Sequence, residues 1–230
     1  MRVISIPNNL LKADCQRGAI LVQVGYSVYG GLVECGGRVV SHLAGRYGAG
    51  QKMDKIVELV KQDPIRIEAL NCVSELSLPQ CYIAAGFVRN LVWDSLHSFN
   101  ESTPLNDVDV IYFDPSESNS NSYLVYEARL KARMSQLNWQ VRNQALMHER
   151  NGDAPYQSSV DAMSYWPEKE TAVAIRQIGL NQYECVAAFG FESLFSYQVT
   201  YNPKRLRETF ENRVNSKGWL VRWPLLRVAP

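Results

Sequence analysis

Two apolar spacings alternate along the chain and divide it into elements. From Asp54, the residues Ile56, Leu59 and Val60 recur at i, i+3 and i+4, predicting a helix with Asp54 as its N-cap. Asp63-Pro64 interrupts it. Pro64 then suits the first turn of a second helix that carries Ile65, Ile67, Leu70, Val73 and Leu76. Leu78-Pro79 closes that helix, and the short apolar run Cys81 to Ala85 predicts a strand. Gly86 ends the strand, and an amphipathic helix follows over about 88–98. The next strand opens with Asp107 and Asp109 and continues as Val-Ile-Tyr-Phe-Asp to Asp114. A polar loop rich in Ser and Asn leads to a helix over 123–137, and partial alternation over 139–148 predicts a third strand. Asn151-Gly152-Asp153 marks a turn, and 157–166 fits a short helix. The runs 171–178 and 182–188 read as two strands joined hairpin-fashion, with a short amphipathic helix over 190–197 after them.

The first 50 residues break this pattern. They hold nine of the fourteen glycines and five Lys or Arg against two acids, whereas the remainder carries 19 basic and 21 acidic residues. The run Ala19-Ile-Leu-Val-Gln-Val fits a strand, but Gly30-Gly31 and Gly36-Gly37 interrupt any long element. The stretch matches neither a secretory signal nor a basic amphipathic presequence. The expectation is a poorly ordered extension over 1–53 before a domain at 54–230, with Met53 as an alternative start. A net charge of +1 gives no overall preference for nucleic acid or membrane, and 46% apolar residues fit a soluble globular chain. No apolar run reaches the roughly 18 residues of a membrane helix. The five cysteines are scattered without a C-x-x-C pair, which argues against zinc and for reduced thiols in the cytoplasm. Charge does concentrate at the C-terminus. Residues 202–228 hold seven Lys or Arg against two acids, with Trp219 and Trp223 among them, either as a polyanion contact or as a solvated face.

The candidate chemistry lies between Cys81 and Asp114. Side chains two apart on a strand share a face, so Asp107 and Asp109 aim side by side. Paired carboxylates repel unless a cation lies between them, and hard oxygen donors suit Mg²⁺. The alternative is the polar face of an edge strand. Upstream, Gly86 lets backbone approach a phosphate, and the helix N-terminus after it favours anions. Arg89 in that first turn fits either a phosphate or a salt bridge to Asp107 or Asp109.

The segment Ala84-Ala-Gly-Phe-Val-Arg-Asn90, followed 21 residues after Gly86 by Asp107-Val-Asp109, resembles the signature of the polymerase-β-type nucleotidyltransferase superfamily. It is similar to the form shared with tRNA CCA-adding enzymes. Further segments resemble one bacterial family of nucleotidyltransferase proteins: Asn106 to Asp114, Trp139 to His148, Ser158 to Met163, Trp166-Pro-Glu and Ala188 to Phe195. The resemblance spans about 55–228. It implies an α/β (mixed α+β) fold, a polymerase-β-like domain whose mixed sheet is flanked by helices. It implies that Asp107 and Asp109 hold Mg²⁺ (or Mn²⁺), and that Gly86, Arg89 and Asn90 meet the phosphates of an NTP. The reaction implied moves a nucleoside monophosphate to a hydroxyl acceptor, whether a small molecule, a protein or an RNA end, with no membrane partner. The alternative is a non-catalytic nucleotide-binding or regulatory module of the same fold.

Two positions depart from the resemblance. Phe87 stands where Gly or Ser is expected, and the third carboxylate has no clear match. Asp161 is the candidate for it, with a helix-terminal role as the alternative. Asn143 and Gln144 suit a base edge or ribose, or else hydrogen bonding at a strand edge. His148 suits a general base or a structural role. Trp139, Trp166, Trp219 and Trp223 suit base stacking or core packing.

Overall fold

The fold is built on a five-stranded sheet in the order β3-β2-β1-β4-β5. The computed structural model describes residues 37–229, with side chains from residue 48 onward. The 19–24 run and the first two glycine pairs therefore lie outside the described residues, apart from Gly37 itself. The elements in order are α1 (Gly37–Lys61), α2 (Pro64–Ser74), β1 (Tyr82–Ala84), α3 (Gly86–Leu96), β2 (Val108–Tyr112), α4 (Ser122–Arg133) and β3 (Trp139–Asn143). Then come α5 (Gln144–Asn151), α6 (Ser159–Met163), a 3₁₀ turn (Lys169–Thr171), β4 (Val173–Gly179) and β5 (Gln182–Ala187). A second 3₁₀ turn (Ser193–Phe195), β6 (Gln198–Val199), α7 (Arg207–Lys217), α8 (Trp219–Arg222) and β7 (Arg227–Val228) complete the chain. Lys52–Pro230 forms one compact unit.

The sheet is mixed, as the resemblance implied. β1 pairs antiparallel with β2 and β4, and β4 with β5, while β2 and β3 run parallel across the α4 crossover. Strand alternation gives the sheet two unlike faces. Ile83, Val108, Val110, Tyr112, Val141, Val173 and Ile175 point into the main core with Ile56, Val60, Leu70, Phe87, Val92 and Leu130 from the helices. The other face carries Tyr82, Ala84, Ile111 and Ala174, packed by Met163 of α6. Asp109 and Gln140 alternate with the core residues of their strands and so belong to this second face.

Several predicted boundaries shift, each for a local reason. α1 is already helical from Gly37, so Asp54 lies inside it rather than capping it. The second helix starts where predicted, because the Asp63 side chain accepts the Arg66 N–H at 3.1 Å and Pro64 follows the cap. The third strand ends at Asn143 rather than running on to His148. Asn143 accepts the Ala145 N–H through its side chain and starts α5. α4 stops at Arg133, after which Met134 turns to φ −133°, ψ 78°. The helix expected over 190–197 is one 3₁₀ turn after Gly190 at φ +74°.

Candidate functional site: a cavity between the sheet and the C-terminal helices

One row of residues crosses the second face of the sheet. Gln140, Asp109, Ala84, Ala174 and Val186 are successive in-register partners. Ala84 and Ala174 are fully buried under Met163, whereas Asp109 and Gln140 at the other end of the row remain partly exposed. Asp109 and Gln140 line a cavity of about 940 Å³. Its lining includes Gly86, Arg89 and Asn90 from α3, Asp107 and Asp109 from β2 and the residue before it, and Gln140 from β3. Trp166 and Thr171 come from the loop and 3₁₀ turn before β4, and Arg213, Lys217, Trp219 and Arg222 from α7 and α8.

The turn that brings α3 into this cavity is strained at Ala85, which holds φ 56°, ψ −122°. Its N–H donates to the Val173 carbonyl at 2.9 Å, and its carbonyl accepts from Arg89 N at 2.9 Å. These bonds fix a conformation that a residue with a Cβ avoids. Gly86 is needed for a different reason. A Cβ there would lie 3.3 Å from Asn90 Nδ2 and 3.6 Å from Arg89 Nη2, the side chains that fold back over the turn. Phe87 faces away into the main core, where Arg66 stacks on its ring.

Arg89 is 6% exposed. Its guanidinium contacts the rings of Trp93 and Trp219, at 5.0 and 4.5 Å from their centroids, where the two rings meet edge to face. Nη1 donates to Thr171 Oγ1 at 2.6 Å and Nη2 to Asn90 Oδ1 at 2.9 Å, while Nε has no partner. No carboxylate lies within ion-pair distance of it among the described residues, so the salt bridge to Asp107 or Asp109 is not formed. Burial pushes its pKa down to about 10, against the opposing charge of Glu168. A buried cation without a contacting acid is costly to keep, and the cation–π contacts offset part of that cost.

Asp107 and Asp109 line the same cavity from one strand edge. Asp107 lies just before β2, where Asn138 Nδ2 donates to its Oδ1 at 2.7 Å. Burial raises the Asp109 pKa, and the neighbouring Asp107 charge adds to the effect, while Arg89, Lys217 and Arg213 oppose it. These are two carboxylates on one face that repel each other.

The frame around them is rigid. Asp94 of α3 accepts the Thr103 N–H and hydroxyl at 2.6 Å each and the Trp223 Nε1–H at 2.8 Å. It thereby ties the loop before β2 and the C-terminal segment to one helix. Arg213 donates to buried Glu168 at 2.6 Å.

A family model described as Nucleotidyltransferase matches residues 71–228. The chain belongs to this nucleotidyltransferase family. Among solved structures, an NMR structure described as revealing a CCA-adding enzyme head domain aligns with a TM-score of 0.67 at 32% identity, over 76% of this chain and 95% of that one. A complex of CCA-adding enzyme with CTP aligns with a TM-score of 0.47 at 14% identity, over 77% of this chain and 43% of that one. No curated protein matches.

Four other candidates of this chain, Asp161, Asn143, Gln144 and His148, fall outside the cavity lining. Asp161 accepts the Gln157 N–H at 2.9 Å, and Ser158 caps α6 by accepting the Asp161 N–H at 3.0 Å. Its carboxylate serves a helix start. Asn143 is spent on Asp114, Glu117 and the Ala145 cap. Gln144 is buried, and His148 Nδ1 contacts the Ala145 carbonyl at 2.8 Å. Of the four tryptophans proposed for stacking, Trp139 is a core residue, Trp219 and Trp223 are core residues that also reach the cavity lining, and Trp166 is half-buried in the lining. Sequence reasoning missed Gln140, because only the β2–β3 register places it beside Asp109. It also left open the direction of the basic tail, whose Arg213, Lys217 and Arg222 reach this cavity. No helix among the described residues is long and apolar enough to cross a membrane.

Proposed function

We propose that the chain transfers a nucleoside monophosphate from an NTP to a hydroxyl acceptor in a reaction that depends on Mg²⁺ or Mn²⁺. The observation that carries this reading is the single cavity shared by Gly86, Arg89, Asp107 and Asp109 in a chain of the nucleotidyltransferase family. The residues fit a hard divalent cation: two carboxylates share one face, and Asp109 already gains from any positive charge near it. Asp107 and Asp109 are the residues that would hold the cation. When bound, it supplies charge neutralisation for the triphosphate and polarises the phosphorus under attack.

The chain's own groups do the positioning. Gly86 lets the backbone approach phosphate oxygens, with Asn90 beside it. Arg89 presents a guanidinium already locked by Thr171 and two indole rings, so little rotamer entropy is lost on binding. Lys217 and Arg222 add cations on the facing wall, and Trp166 offers a face for a base. The acceptor oxygen forms a bond to the α-phosphorus, the bond from that phosphorus to the αβ-bridging oxygen breaks, pyrophosphate leaves, and the hydroxyl proton passes to solvent. The acceptor is a small molecule, a protein or an RNA end. The likeness to a CCA-adding enzyme head domain supports keeping the RNA end in that set.

The test incubates purified protein with Mg²⁺ or Mn²⁺ and each labelled NTP, following pyrophosphate release and label transfer. Asp107→Asn with Asp109→Asn is the control. Release in the wild type and not in the double variant is expected, and equal release in both overturns the reading. A second reading, nucleotide binding without turnover, is favoured by one observation: the residue beside Asp109 on the next strand is Gln140, which cannot take a proton from an acceptor. Tight binding of NTP without release by the wild type decides for it.

A further inference from the structure

The residues at the cation site are not all acids. β2 and β3 are parallel, with Asp109 and Gln140 as in-register partners. Such neighbours project to the same face, and both side chains line the cavity with Asp107. Two carboxylates and one amide, from two adjacent strands and the residue before one of them, thus line one cavity. Among the described residues no group of three or more His, Cys, Asp and Glu is placed to hold a metal ion.

We infer that the Asp107/Asp109 site takes one divalent cation per chain from solution, and that Gln140 is the residue that keeps the number at one. The inference rests on the metal reading of the proposed function and adds the stoichiometry. Two divalent ions in one site sit about 3.5–4 Å apart and need shared anionic donors to offset their repulsion. Two carboxylates balance the charge of one such ion. The neighbouring strand offers a neutral amide, whose oxygen can contact an ion and whose charge cannot offset a second. The surroundings act in the same sense. Arg89, Arg213 and Lys217 line the same cavity as the two acids, and a second divalent cation would add to their positive charge. Gln140 therefore sets the charge of the site through its side-chain type, while the strand register sets its position.

The experiment is a Mn²⁺ titration of the full chain without nucleotide, read by the loss of the free-ion signal in electron paramagnetic resonance. Wild type is expected to bind one Mn²⁺, lost in Asp107→Asn/Asp109→Asn. Gln140→Glu, nearly isosteric, is expected to take a second ion, since a third carboxylate supplies the charge that the amide lacks. Gln140→Ala is expected to keep one. Thermal unfolding of each variant confirms that the fold is intact. Two ions in the wild type, or a Gln140→Glu chain that still binds one, overturn this inference and leave the proposed function standing. A wild type that binds no Mn²⁺, or binding that survives the double Asp→Asn change, overturns both.

Discussion

Arg66 and Arg89 are both buried, at 2% and 6% exposure, and both stack on an aromatic ring. Their surroundings differ in one respect. Arg66 forms an ion pair with Asp63 and donates Nε to the Phe87 carbonyl at 2.9 Å, so its charge is used within the fold. Asp63 also caps α2, which makes this corner a local staple between α2 and α3. Arg89 has a hydroxyl, an amide and two indoles around it, but no contacting acid. Burial lowers the pKa of both guanidinium groups; at Arg66 the opposing charge comes first from the contacting Asp63, and at Arg89 from Glu168 at longer range. The same residue type at the same depth therefore serves two purposes. The paired cation contributes to stability, and the unpaired one faces a cavity with charge available to an anion.

The largest effect that would sharpen this contrast lies at the acids facing Arg89. Asp109→Asn is expected to lower nucleotidyl transfer by about 10²–10³-fold, since several kcal/mol of charge stabilisation is lost. Kinetics with saturating NTP measure it, and a loss below tenfold would remove Asp109 from the site. Next is Arg66→Met, expected to destabilise the fold by about 3 kcal/mol because Asp63 loses its buried partner. Denaturant unfolding reads this directly. Arg89→Met is expected to do the reverse, with stability within about 1 kcal/mol of wild type and NTP affinity down about tenfold to a hundredfold. If both arginines fail in the same assay, the comparison breaks.

A smaller effect follows from Asp109 itself. Its folded pKa is raised above the ordinary 3.8, so the stability this group contributes is fully present below 3.8 and is lost as pH rises through the folded value. Metal-free Asp109→Asn protein is therefore expected to melt higher than wild type at pH 7, with the gap closing in acid. Mg²⁺ is expected to raise the melting temperature of wild type and leave the variant unchanged. The smallest effect concerns the thiols. Burial pushes Cys81 and Cys185 up to about 12, so both are expected to resist iodoacetamide in the native chain at pH 8 and to react once unfolded.

Much of the candidate site was legible because its parts are local. Asp107 and Asp109 share a face through the two-residue period of a strand, and Gly86 with Arg89 marks a helix start at fixed spacing. The hairpin through Asn181 was legible for the same reason, since turn residues separate two apolar runs. Asp161 and Asn143 were harder to place. Asp and Asn serve equally at a helix cap and at a ligand, and only the observed hydrogen bonds show both at caps. Alternation over 139–148 suggested a longer strand because a cap at Asn143 switches the period midway.

The sequence by itself determined which carboxylates pair, where the chain turns into α3 and which residues build the main core. Those properties depend on neighbours within a few positions, where backbone geometry leaves few options. Only the tertiary structure decided that Gln140 stands beside Asp109, that Arg89 lacks an acid, and that the basic tail folds back over the cavity rather than into solvent. Each depends on register or packing between segments far apart in the chain, which no local period encodes. The substitution-sensitive part of the site is therefore split: its acids are fixed by a strand, and its charge balance by what long-range packing sets around them.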